Sequence, residues 1–328
     1  MDVEDAHDHL RKAKDLVNED PTNYTRQFLL VDKSDNIDGE YEAGEVPLHR
    51  NIQIKISKWV LEQLQTELNK LKNESRSLAK YDIENANKKK VPIQYIDTDD
   101  VPLFDRFQSI VMGNSFSETT YGEEDDPSFQ VFRAINRLHQ DRFAAFSVYT
   151  KSQIIGHTWK IKAALRGNEY NTFEEDLVAL PDTYDVIYYN GVLFIFNPGR
   201  FEKMFDYFET YEESASSVFD SLEESDLTIH NLDKVKTTVM NDNISLRKMS
   251  VIEKVGVYDS LTLDKAEEII NEYNLNLNIE EDPEDGRGIR VPDLRHRHDL
   301  LRLLNDDHLA SELTNELYQV YGKDRRSD

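Results

Sequence analysis

Three groups of residues in this chain have the types and spacing to do chemistry. Asp97, Asp99 and Asp100 set three carboxylates within four positions, and Asp306 and Asp307 stand beside His308. Carboxylates that converge on Mg²⁺, with a Lys nearby to balance developing charge, cleave phosphodiesters. Neither group is joined to a strand-borne acid-x-Lys, and 64 Asp and Glu in 328 residues make such clusters expected by chance. The third group, Arg295-His296-Arg297-His298-Asp299, is the densest polar run. Its histidines share a face only on extended backbone, where i and i+2 align; on a helix they point apart. The run then becomes a basic entry to a helix carrying Leu300, Leu301, Leu303 and Leu304. A further reading joins Arg295 and Arg297 to Arg287, Arg290 and Arg302 as a phosphate-contacting patch, because guanidinium binds phosphate bidentately. Residues 286–302 hold five Arg and two Asp.

Other chemistries are excluded by what is missing. The 12 glycines form neither a P-loop nor a dinucleotide-binding turn, and no Gly-x-Ser-x-Gly elbow occurs. With no Cys, thiol catalysis, disulfides and cysteine zinc sites are absent. The expectation is a chain without a resident cofactor or metal and without a catalytic constellation, a metal-dependent nuclease standing as the alternative.

The formal charge of −25 opposes non-specific nucleic-acid binding over the whole surface. Distribution matters more than the total. Residues 142–168 carry Arg142, Lys151, Lys160, Lys162 and Arg166 and no acid, where the chain average would place about five. Phe143, Phe146, Tyr149 and Trp159 interleave with these cations. Cations meet phosphate and aromatic faces stack on exposed bases, so the mixture suits nucleic acid. Two amphipathic strands with core-filling aromatics and solvated lysines are the other reading; the absence of acid favours a functional positive face.

The elements that must position these residues follow from periodicity. Residues 26–31 and 91–96 read as strands, and 50–56 alternates Ile52, Ile54 and Ile56 as a half-buried strand. Ser57 is placed to cap a helix to about 73, and Pro127 to open one carrying Phe129, Phe132, Ile135 and Leu138. Residues 143–150 and 154–165 read as strands. Asn190-Gly191 between 186–189 and 192–196 is a type I′ hairpin signal, and its two-faced apolar strands belong inside a covered sheet. Helical spacing then dominates, over 201–222, 231–240, 245–254, 263–273 with Thr262 as cap, and 297–305. Strands are expected at 275–279 and 317–321. No uncharged run is long enough to span a bilayer and the first residues are acidic, which predicts a soluble, cytoplasmic protein. The fold class is α+β: a mixed or antiparallel sheet with a central Asn-Gly hairpin flanked by helices, plus a smaller N-terminal α/β region. The polar loop near 115–127 is the expected boundary between an N-terminal region, 1–120, and a C-terminal domain, 121–328.

Two blocks carry a resemblance. One is Tyr184-Asp-Val-Ile-Tyr-Tyr-Asn-Gly-Val-Leu-Phe-Ile-Phe-Asn197, followed by Phe201-Glu-Lys-Met-Phe-Asp-Tyr-Phe-Glu209. The other is Leu303-Leu-Asn-Asp-Asp-His-Leu-Ala-Ser-Glu-Leu-Thr314, running into Tyr318-Gln-Val-Tyr-Gly-Lys323. Together they resemble the KwaB-like family, named for the soluble component of the Kiwa anti-phage defence system, over roughly 127–323. The resemblance implies an antiviral protein that binds DNA without strict sequence preference, works with a membrane partner of KwaA type and self-associates as a homodimer or larger homo-oligomer. It implies no catalytic residue, and membrane association only through the partner. An interaction adaptor with an acidic recognition surface is the further alternative. The DNA-contacting residues are expected to be Arg142, Lys151, Lys160, Lys162, Arg166, Arg287, Arg290, Arg295, Arg297 and Arg302.

Overall fold

The computed structural model describes residues 1–18, 24–33, 41–73, 76–83, 93–113, 115–119, 128–136, 140–149, 154–155, 163–166, 169–172, 177–178, 180–283, 285–310 and 317–319. The chain is α+β and divides into two compact units, residues 1–81 with 89–205, and residues 82–88 with 206–328. The boundary expected near 115–127 falls inside the first unit, whose sheet takes strands from both sides of that loop.

The first unit contains α1 (Val3–Asn18), β1 (Tyr24–Lys33), β2 (Tyr41–Glu45), α2 (Arg50–Lys72), β3 (Leu78–Lys80), β4 (Ile93–Asp97), α3 (Gln108–Met112), β5 (Ser117–Glu118), β6 (Phe129–Asn136) and β7 (Arg142–Val148). It continues with β8 (Ile154–Ile155), β9 (Ala163–Arg166), β10 (Glu169–Thr172), β11 (Leu177–Val178), β12 (Val186–Tyr189), β13 (Val192–Ile195) and α4 (Pro198–Met204). Nine strands form one sheet in the order β3-β4-β13-β12-β7-β6-β1-β2-β5; β8 pairs with β11 and β9 with β10 as separate ladders. Neighbours in the large sheet run antiparallel except at its two edges, β3 with β4 and β2 with β5. Pairing of Phe132 with Phe28 and of Ile187 with Ala145 sets the register that gathers Phe28, Phe132, Phe143, Ile187 and Phe194 on one face. That face packs against Leu10 and Ala13 of α1 and Ile56, Val60 and Leu64 of α2. On the other face Phe107 lies between Tyr41 (4.3 Å between ring centroids) and Phe205 (4.5 Å), with Phe129 and Phe146 behind them.

The Asn-Gly hairpin sits where its composition requires, as interior strands buried on both faces. Asn190 and Gly191 take φ of +43° and +88°, the left-handed pair that a type I′ turn demands.

Two expectations fail for one reason. Residues 50–56 are not a strand but the start of α2, where the His49 side chain accepts a hydrogen bond from the Asn51 amide at 3.3 Å. Of the alternating isoleucines only Ile56 is buried, as the first of Ile56, Val60, Leu64 and Leu68, spaced every four residues. Ser57 accordingly lies inside the helix, its hydroxyl donating to the Gln53 carbonyl at 2.9 Å. In the opposite sense, the helix expected from Pro127 is β6: Phe129, Phe132 and Ile135 belong to a strand with both faces covered. Leu138 lies outside the described residues. Runs this short fit either period, and only their neighbours decide between helix and strand.

The second unit holds α5 (Tyr207–Glu224), α6 (Leu232–Met240), α7 (Asn243–Val255), α8 (Leu263–Glu272), β14 (Asn278–Asp282), β15 (Gly286–Arg290), α9 (Arg297–Leu304), β16 (His308–Ala310) and β17 (Leu317–Gln319). The helix and strand pattern expected here is present, Thr262 accepting from the Lys265 amide at 3.3 Å to start α8; the strand expected at 275–279 forms instead at Asn278–Asp282. α5 packs on α7, burying Ala215, Val218, Phe219 and Leu222 and, from α7, Leu246, Met249 and Ile252. The β14–β15 hairpin is held by a parallel bridge between Ile229 and Ile289, with the His230 amide donating to the Ile289 carbonyl and the Ile289 amide to that of Thr228, both at 2.9 Å.

Gly191 isolates the turn's conformational demand. A Cβ there would meet only the Thr98 hydroxyl oxygen, at 3.9 Å, so Gly191→Ala introduces strain without a clash. The expected cost is about 1–2 kcal/mol, read as a lower denaturant midpoint at unchanged m-value; an unaltered midpoint would show the turn is not held in this conformation.

Candidate functional site

The five arginines of the 287–302 group are each brought against carboxylates of the second unit. Arg287 donates to Asp264 at 3.0 Å and to Glu267, both on α8. Arg290 reaches across the hairpin to Glu280 at 2.5 Å and lies 3.6 Å from Asp282. Arg295 closes onto Asp293, whose carboxyl its hydrogen bonds hold at about 2. Arg297 donates to Asp242 at 2.8 Å and to the Ser245 hydroxyl at 3.1 Å. Arg302 donates to Asp299 at 3.1 Å. Five guanidinium groups thus meet seven carboxylates, three of them outside the 280–302 stretch. The sequence run is net positive; the surface around it is not.

Two of these pairs are built into helix starts. Asp242 caps α7, accepting from the Ser245 amide at 3.1 Å and the Ser245 hydroxyl at 2.5 Å. Burial alone would push its carboxyl up, but the hydrogen bonds from Ser245 and Arg297 bring it below the usual range. Asp299, in the first turn of α9, receives the Asn276 amide at 3.1 Å and side chain at 2.8 Å; against its burial these bonds and Arg302 lower it likewise.

The other group lies in the first unit. The Arg142 guanidinium donates to the Val111 carbonyl at 3.3 Å and the Met112 carbonyl at 2.7 Å, and its amide donates to the Asn190 side chain at 2.9 Å. Beside it, unforeseen in the sequence, stands Arg133, almost fully buried on β6. Arg133 donates to Ile110 (2.8 Å) and Gly113 (2.5 Å), and its guanidinium carbon lies 5.0 Å over the Phe116 ring. Burial first, and then the charge of Arg142, push Arg133 down to about 10. Together the two arginines satisfy carbonyls at the end of α3 that have no partner within the helix. Among the described residues neither forms an ion pair with a carboxylate. The only forewarning of Arg133 was its isolation in the apolar run 129–135. Lys151, Lys160 and Lys162 lie outside the described residues; Arg166 ends β9, opposite Glu169 of β10.

The sequence's candidate metal ligands are not brought together. Asp97 lies 3.3 Å from the N-terminal amine and Asp100 2.9 Å from Lys80. Asp307 is buried, with the Lys248 ammonium at 2.5 Å and the Asn305 side chain at 2.7 Å, so it serves packing. His296 precedes α9 and His298 opens it, and burial followed by the charge of Arg297 pushes His298 down. The basic-entry reading of 295–299 is the one the helix realises.

A family model described as Kiwa protein KwaB-like matches residues 115–314. No curated protein and no solved structure gives a match. The matched residues include Arg133, Arg142, the five paired arginines and all seven of their carboxylates.

The depressed Asp242 and Asp299 carboxyls make the second unit acid-sensitive. The unfolded chain binds more protons than the folded one near pH 4, so stability rises with pH there. The contribution is complete above the unfolded value of about 3.9 and is lost as pH falls through the lower folded values. Thermal unfolding across this range should show a steep acid limb that Asp242→Asn flattens. At neutral pH the same variant loses a charge-assisted bond worth about 1–3 kcal/mol; identical acid limbs would remove Asp242 from this role.

Proposed function

The chain belongs to the Kiwa KwaB-like family of anti-phage defence components, and we propose that within such a system it engages DNA through residues 142–166 without strict sequence preference. The observation that carries this reading is the 27-residue run from 142 to 168, which holds five cations and no acid in a chain of −25. Arg142 brings to it a charge that no carboxylate among the described residues pairs with. The 287–302 arginines take no part in the proposed surface, because their carboxylate partners outnumber them. Arg287 ties the β14–β15 hairpin to α8 and Arg297 ties α9 to the start of α7, while the other three pair locally.

Five cations on an anionic protein give weak attraction, and two or more copies on one duplex would multiply it without new contacts. Self-association is therefore part of the proposal. So is a membrane partner of KwaA type, since membership of a Kiwa-system family points to other components. A second reading rests on α5: Glu209, Glu212, Glu213, Asp220 and Glu224 line a groove of about 710 Å³, which would take a basic protein. Nuclease treatment during co-purification separates the two, since a DNA-bridged partner is lost and a directly bound one is kept.

Electrophoretic retardation of duplex DNA at low salt should show binding that weakens log-linearly with salt, at a slope of about 0.9 per phosphate neutralised. Lys160→Glu with Lys162→Glu and Arg166→Glu should abolish it for every sequence. Arg287→Gln with Arg295→Gln should leave it unchanged. Absence of retardation by the wild type, or equal loss in both variants, overturns the assignment.

A further inference from the structure

The β14–β15 hairpin and the segment before α6 place three ligating groups that the proposed function does not use. One ring nitrogen of His230 and one carboxylate oxygen each from Asp282 and Asp285 lie within 4.8 Å of one another. Asp282 and Asp285 stand on either side of the hairpin tip, and Gly286, with φ of +74°, turns the chain beside them. His230 arrives from outside the hairpin, fixed by its amide bond to Ile289. Its ring rests on β15 at Gly288, where a Cβ would stand 2.9 Å from ring atoms Cε1 and Nε2 and 2.8 Å from the Thr228 methyl. Only glycine leaves room for the ring there.

The second observation is how the imidazole is bonded. Nε2 lies 3.1 Å from the Glu280 carbonyl oxygen, an acceptor, so Nε2 donates its hydrogen there. Nδ1 is buried and meets no hydrogen-bond donor among the described residues. A ring N–H bonded to a backbone carbonyl, with the other nitrogen left without a partner, is how ligating histidines are oriented.

We propose that His230, Asp282 and Asp285 bind one divalent transition-metal ion, Zn²⁺ or Mn²⁺. Two carboxylates balance the charge of a divalent ion, and ligand bonds of about 2.0–2.2 Å close the observed spread with small side-chain movements. The imidazole selects against Ca²⁺ and Mg²⁺, which take oxygen ligands. Arg290 does not block the site: its close bond is to Glu280, and Asp282 is the more distant partner. The bound ion would tie the hairpin tip to the 228–230 segment beside the Ile229–Ile289 bridge.

Calorimetric titration of the EDTA-treated full chain with Zn²⁺, and separately with Mn²⁺, tests this. The wild type should take up one tight equivalent of at least one of the two ions and show a raised unfolding temperature. Asp285→Asn, at an exposed position that keeps the fold, and His230→Gln should each weaken that equivalent at least about 100-fold and cancel the thermal shift, while Mg²⁺ should not compete at millimolar concentration. Absence of a tight equivalent in the wild type overturns the proposal. So does an equal number of equivalents in the wild type and both variants, which would locate the ion elsewhere on the acidic surface.

Discussion

Cations are scarce in this molecule, and where the fold places them governs most of what it can do. With 39 Lys and Arg against 64 Asp and Glu, any local excess of positive charge must be defended from the acids around it. The second unit makes no such defence. Its arginines hold together elements far apart in sequence, Arg297 reaching 55 residues back to Asp242 and Arg287 reaching 23 back to Asp264. Exposed pairs of this kind contribute little each. Where a pair also caps a helix, as Asp242 does for α7, geometry multiplies its value.

The first unit treats its arginines differently. Arg133 and Arg142 turn to backbone carbonyls at the end of α3 and keep their charge. A buried guanidinium without a carboxylate is costly unless its donors are satisfied, and here carbonyls that α3 leaves open do much of that. The segment that covers one face of the sheet is pinned by two cations on adjacent strands, of which Arg142 opens the acid-free run. The structural role of positive charge thus adjoins, in sequence, the run in which DNA engagement is proposed.

Legibility followed the strength of local rules. The Asn-Gly turn was readable because positive φ at two successive positions admits few residues. The helices of the second unit were readable because their apolar stripes face one side, and Thr262 marks the start of α8. Residues 50–56 and 127–136 were misread because both patterns fit either period, and the deciding facts were the neighbours: α1 beside Ile56, and β1 and β7 on either side of Phe132. Among candidate site residues, the sequence pointed to arginines 287–302 by their density. It had no means of showing Asp242, Asp264, Glu267 and Glu280 beside them, nor His230 beside Asp282.

Composition and spacing alone determined the absence of thiol chemistry, the net negative charge, the α+β character and the Asn-Gly hairpin, since each depends on residue type or on neighbours a few positions away. The matching family lay within the same reach, carried by blocks that include the hairpin, parts of α4 and α5, and β16. Tertiary structure alone decided which charges remain uncompensated and which ligands converge. Electrostatic pairing and metal coordination act over a few ångströms in space, and chain folding brings those distances to residues that sequence separation keeps tens of positions apart.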